Sequence, residues 1–218
     1  ATGDLRLTVD LRIAALGDSF VAGVGDSDFL GWVGRLARRY RCDGAIPTLY
    51  LLGVRRETTA DVLRRARREL EPRLLPTTVN AVLLSTGVND TQVENGGVRL
   101  SPNKSATALH QLLQVSRDHG ETLVVGPPPV SDDGHNQRIL RLSHRMQEQC
   151  QDQGVLFVPV VDALLSNRVW MQEVAAGDGS HPGPRGYEIL TQVVERSNSW
   201  ANFCSRLRLQ RHQRAVDA

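Results

Sequence analysis

Five nearly continuous apolar runs, separated by helix-like stretches, constrain this chain more than any other feature. They lie at about 11–16, 48–52, 81–85, 122–125 and 155–161. A strand with one wet face alternates apolar and polar residues, and these runs do not. Continuous apolar runs of this length fit strands covered on both faces, as in a parallel sheet between two helical layers. Helical patterns fill the gaps: about Phe29 to Tyr40, Thr58 to Leu75, Ser101 to His119, Gln137 to Gln153, Ala163 to Val174, and most of the chain beyond Gly183. Pro127, Pro128 and Pro129 must end the fourth strand, because proline cannot donate to a ladder. This order predicts an α/β protein, a three-layer α/β/α sandwich around a five-stranded parallel sheet.

The chain has 218 residues, which suits one domain with a sizeable core. It shows no linker, repeat or low-complexity tract, so residues 1–218 read as a single domain. The last stretch, 206–218, is polar and basic and is expected to fray. A net charge of +2 gives no pointer to nucleic acid, and the arginines of the tail lack interleaved aromatic residues. Arginine is plentiful and lysine nearly absent, which resembles the output of a GC-rich genome. No run of about 18 apolar residues exists, so no membrane span is expected. Ala1 to Asp10 lacks the pattern of a signal peptide, although a signal already removed would leave no trace. Cys42, Cys150 and Cys204 are far apart and odd in number, without metal-type spacing. They suggest a reduced, cytoplasmic protein.

Three segments carry candidate chemistry. Gly17-Asp18-Ser19-Phe20 follows the first strand, where a hydroxyl projects from the carboxyl edge of the sheet. Ligands of open α/β sheets bind at that edge. Ser85-Thr86-Gly87-Val88-Asn89-Asp90 follows the third strand and brings Asn89 to the same edge. Its amide suits a developing oxyanion, and an ordinary Asx turn explains it equally well. Gly177-Asp178-Gly179-Ser180-His181-Pro182 is the third. Pro182 disfavours helix at His181, and a bend through Gly179 would let Asp178 reach the imidazole. Standing alone, this segment reads as a surface turn.

Together the three segments resemble, in order and spacing, blocks of the SGNH (GDSL-type) hydrolases, in particular a bacterial subgroup regarded as lipases or esterases. The resemblance runs from about Arg12 to Glu195. It implies a flavodoxin-like fold and hydrolysis of esters or thioesters. It also implies Ser19 as nucleophile, His181 as general base and acid, and Asp178 as the residue that orients His181. The Ser19 N–H and the Asn89 side chain would belong to the oxyanion hole. No metal or organic cofactor is implied, and the partner expected is a small-molecule ester.

One segment departs from the family pattern. The glycine that usually supplies a third oxyanion N–H is replaced by Arg56, within Leu52-Gly53-Val54-Arg55-Arg56-Glu57-Thr58. A backbone N–H survives any substitution except proline, so Arg56 stays a candidate donor. Its side chain either meets an acidic substrate group or sits in an ion pair facing solvent, and the second reading is preferred. Asp18 and Asp90 read as turn stabilisers. His110, His119, His135, His144 and His212 read as surface residues. The arginine-dense helix from Arg64 to Arg73 reads as a solvated, ion-paired face. Trp170 reads as core or as the wall of an acyl pocket.

The reaction expected is that of a serine esterase. The alternatives with the same residues are a carbohydrate O-deacetylase, a thioesterase or an acyltransferase. The alternative of another class is a binding module that keeps the fold without the chemistry.

Overall fold

The computed structural model describes residues 9–40 and 45–217. In chain order the elements are β1 (Leu11–Gly17), α1 (Gly31–Arg39), β2 (Thr48–Gly53), α2 (Thr59–Leu70) and β3 (Val79–Ser85). A one-turn 3-10 helix (Asn89–Thr91) and a small hairpin of β4 (Val93–Glu94) and β5 (Gly97–Val98) follow. Then come α3 (Pro102–His119), β6 (Glu121–Val125), α4 (Asp133–Asp152), β7 (Leu156–Val158), α5 (Val161–Leu165), α6 (Arg168–Ala176), α7 (Pro184–Glu195) and α8 (Asn198–Val216).

The main sheet is parallel, with order β2-β1-β3-β6-β7. The chain moves outward from β1 to β2, then crosses back to β3 on the other side of β1. That reversal makes the carboxyl ends of β1 and β3 the switch point of the sheet, where such folds open a crevice. Register brings the strand ends level, with Gly17 opposite both Gly53 and Ser85.

Both faces of the sheet are covered, which accounts for the continuous apolar runs. Ile13, Ala15, Ala81, Leu83 and Val125 pack against Trp32, Tyr187 and Phe203 from α1, α7 and α8. Their neighbours Ala14, Leu16, Val82, Leu84 and Val124 turn to the other face and meet α2, α3 and α4. The other strands of the main sheet are mostly buried, whereas the edge strand β2 has no fully buried residue.

Several boundaries move for physical reasons. Helix α2 starts in a capping box formed by Thr58 and Asp61, and ends at Leu70 instead of Leu75. Helix α4 begins four residues earlier than expected, because Asp132 caps it by accepting the His135 N–H. The run 155–161 yields only three strand residues, since α5 already begins at Val161. The helix expected from Ala163 to Val174 is two helices. Asn167 breaks it and caps α6 by accepting from the Val169 and Trp170 N–H groups. The tail expected to fray is helical to Val216. Leu207 is buried there, Arg206 pairs with Glu121 at 2.8 Å, and Arg214 donates to the Pro76 carbonyl at 2.6 Å.

Cys150 is a buried free thiol, and Cys42 lies outside the described residues. Among the described residues no helix is long and apolar enough to cross a membrane.

Candidate active site

Gly17 ends β1 against a neighbouring backbone. A Cβ there would lie 1.9 Å from the Ser85 carbonyl oxygen, so only glycine lets β1 and β3 close at this point. The chain then turns tightly. Ala22 N–H donates to the Asp18 carbonyl at 3.1 Å and Val24 N–H to the Ser19 carbonyl at 3.1 Å. Ser19 sits in this turn with only a small exposed surface.

Asp18 accepts the Phe20 N–H at 3.0 Å on one carboxyl oxygen. The other oxygen is buried without a partner. Burial pushes this carboxyl up to about 7, aided by the charges of Asp90 and Glu57 and opposed by the Phe20 hydrogen bond.

The histidine arrives from the loop between α6 and α7. Gly179 has a φ of +80°, a left-handed bend that folds the loop back on Asp178. Asp178 Oδ1 accepts the N–H groups of Ser180 at 2.9 Å and His181 at 2.8 Å. Its Oδ2 lies 2.7 Å from His181 Nδ1. On the far side of the ring, His181 Nε2 lies 2.7 Å from Ser19 Oγ. With Nδ1–H donated to the carboxylate, the Nε2 lone pair faces the serine hydroxyl. Partial burial disfavours the Asp178 charge, yet the bonds from the His181 backbone and ring and from Ser180 outweigh it. The carboxyl is held down at about 2.

The imidazole packs on the Phe20 ring, 4.9 Å between centroids. Phe20 in turn stacks on Trp170, whose Nε1–H donates to the Pro129 carbonyl at 3.1 Å. Trp170 is wholly buried, so it backs the histidine support from within the core and does not line a pocket.

The Asn89–Arg56 side is assembled from more distant pieces. Asn89 opens the 3-10 turn after β3, and its Nδ2 donates to the Glu57 carbonyl at 3.0 Å. That bond fixes the amide and leaves its second N–H available. Arg56 has a φ of +65°, in the left-handed region that glycine enters without strain. The conformation fits the glycine that the family pattern has here, and the arginine adopts it at a steric cost. Its side chain is exposed and pairs with Glu94 at 2.7 Å, while Arg99 donates to its carbonyl at 2.8 Å. The preferred ion-paired reading of this side chain is the one seen.

The GDSL-like Lipase/Acylhydrolase family model matches residues 15–189. The chain belongs to this family. It is accordingly a serine hydrolase of the ester-cleaving type. Among curated proteins no sequence matches it significantly. Among solved structures it is similar to a lipase/acylhydrolase from Enterococcus faecalis, at 20% identity and a TM-score of 0.68, over 89% of this chain and 96% of that one. It is also similar to an acetylxylan esterase from Geobacillus stearothermophilus, at 16% identity and a TM-score of 0.67, over 87% and 95% of the two chains. A psychrotrophic esterase from Pseudoalteromonas sp. shares 20% identity with a TM-score of 0.63, over 88% and 98%. At these identities the structural likenesses establish the α/β/α fold.

Within this family member, three supports escape a reading of the sequence. Arg65 belongs to the helix read as solvated, yet it is buried. It donates to Glu57 at 2.7 Å and to the carbonyls of Gly17 and Leu52 at 2.9 Å each, tying the ends of β1 and β2 to the Arg56 segment. Asp90 does more than stabilise a turn. It accepts the Thr59 N–H at 2.7 Å, satisfying a free donor of the first turn of α2, and also bonds Ser105 Oγ. Buried Asp26 pairs with Arg35 and accepts the Gly31 N–H at 2.7 Å, fixing the loop beside the histidine.

His135 is half-buried, not a surface residue. Its Nε2 sits 3.0 Å from the Val88 carbonyl and 3.1 Å from Thr91 Oγ1, and burial lowers its pKa. Among the described residues no group of His, Cys, Asp and Glu is arranged to hold a metal.

Proposed function

We propose that Ser19, His181 and Asp178 are the catalytic triad of a serine esterase acting on small-molecule carboxylic esters. The observation that carries this reading is the chain of two 2.7 Å contacts from Ser19 Oγ through the His181 ring to Asp178. Ser19 Oγ attacks the ester carbonyl carbon while His181 Nε2 takes its proton. Asp178 keeps the ring in the required tautomer and stabilises the imidazolium. The tetrahedral oxyanion is held by the Ser19 N–H, the Arg56 N–H and the Asn89 amide. Collapse expels the alcohol, which receives the proton from His181, and leaves an acyl group on Ser19. Water, deprotonated by His181, then releases the acid and restores the serine.

The fixed amide of Asn89 supports its place in the oxyanion hole. The left-handed backbone of Arg56 supports the view that the arginine preserves a glycine-type geometry, so its N–H keeps the usual direction. The buried free thiol of Cys150 supports a reducing, cytoplasmic setting.

Ser19→Ala tests the reading on short-chain p-nitrophenyl esters. A fall in kcat of at least ~1000-fold with unchanged Tm is expected. Full activity in that variant overturns the assignment.

A further inference from the structure

A second concave site opens behind the Asn89 turn, bounded by α4, the start of α3 and the end of the small hairpin. It encloses about 200 Å³. Arg138, Arg141 and Arg145 all line it. Their spacing of three and four residues sets them on one face of α4, where like charges repel one another.

The protein supplies little to offset that repulsion. Among the described residues, neither Arg141 nor Arg145 makes a hydrogen bond or an ion pair. Arg138 is anchored by carbonyls alone. Its Nε donates to Thr91 and one terminal nitrogen to Gly134, both at 2.8 Å, which leaves three N–H groups. The one carboxylate in the lining, Asp90, directs its oxygens to Thr59 N–H and Ser105 Oγ instead. Elsewhere arginines find acids: Arg39, Arg65, Arg73 and Arg206 all do.

We infer that this pocket binds a phosphate-bearing small molecule, its phosphate gathered by Arg138, Arg141 and Arg145. Guanidinium groups match phosphate oxygens in pairs, and a phosphate brings more charge and more acceptors than a carboxylate. Val98, Leu100 and Leu142 give the same pocket an apolar wall, which suits an organic group attached to the phosphate. Asp90 and Thr91 belong to the turn that carries Asn89, so the bound anion lies on the flank of that turn. That the phosphate is carried by the ester substrate rests on the function proposed above; that the pocket binds phosphate does not.

Isothermal calorimetry of the full chain with inorganic pyrophosphate tests the inference. Wild type and Ser19→Ala are both expected to bind, more weakly as salt rises. The double variant Arg141→Ala, Arg145→Ala is expected to bind at least ~10-fold more weakly. Both side chains are exposed, and the double lysine variant, which retains the charge, is expected to fall between the two. Absence of wild-type binding below about 10 mM, or equal affinity in the alanine variant, overturns the inference.

A kinetic arm separates the sources. If substrate carries the phosphate, the alanine variant raises KM for a phosphate-bearing acyl ester by ~10-fold relative to a neutral ester. If free phosphate is the ligand, that ratio stays constant while pyrophosphate binding is still lost.

Discussion

The two sides of the Ser19 site are built on different scales. On the histidine side, one loop does nearly everything. Asp178 and His181 are three residues apart, and their mutual hydrogen bonds close within that span. On the Asn89 side, no short segment is self-sufficient. Asn89 leans on Glu57, Glu57 on Arg65, and Arg65 on the ends of β1 and β2. Arg56 is held from the hairpin by Glu94 and Arg99. A local device tolerates change elsewhere, whereas a networked one transmits it.

Asp178→Asn strikes the self-contained histidine loop most directly. The backbone bonds to its Oδ1 can persist, but an amide favours the wrong imidazole tautomer. A loss of kcat of ~10⁴-fold is expected with nearly unchanged KM, measured on short acyl esters. A loss below tenfold would remove Asp178 from the triad. Next comes Asn89→Ala, which deletes the oxyanion donor proposed for that side. It is expected to lower kcat by ~100- to 1000-fold. A change confined to KM would instead make Asn89 a ground-state contact.

Asp18 lies where the two sides meet, and its effect is one of pH. Its folded pKa of about 7 stands above the ordinary carboxyl value of 3.8. The unfolded chain therefore loses this proton first as pH rises. Between these values the native state binds more protons, so the Asp18 contribution to stability is fully present below about pH 4 and falls up to about pH 7. Asp18→Asn should flatten that part of the Tm–pH curve. An unchanged slope would show that burial of this carboxyl has no such consequence.

Arg56→Gly has the smallest expected effect. It relieves a left-handed residue, of order 1 kcal/mol, and removes an exposed ion pair of about 0–1 kcal/mol. Stability should shift by less than ~1 kcal/mol in urea melts, and kcat should stay within about threefold because the N–H remains. A large loss of kcat would give the arginine side chain a role in binding substrate.

The same contrast explains what is legible in the sequence. Ser19 and Asn89 each stand in a short segment whose glycine and polar spacing implies a turn at a strand end, and Asp178 and His181 stand in one whose glycines and proline imply a turn before a helix. The parallel sheet is legible because both its faces are apolar. Arg35 and Arg65 are not, since an arginine on a helix gives no sign of facing inward, and their partners are set by the tertiary fold. Residues 155–161 mislead because an apolar run serves a strand and a helix start equally well. The break at Asn167 hides for a different reason. The residues on both sides favour helix, and only the cap reveals the boundary.

The proposed mechanism stands or falls on Ser19 as the hydroxyl activated by His181. Labelling the full chain with a serine-directed fluorophosphonate, followed by peptide mass spectrometry, tests it most directly. One adduct on Ser19 is expected, abolished in Ser19→Ala and slowed strongly in His181→Ala. Labelling of a different serine in the active protein, or labelling of Ser19 that is indifferent to His181, would show that His181 does not activate Ser19.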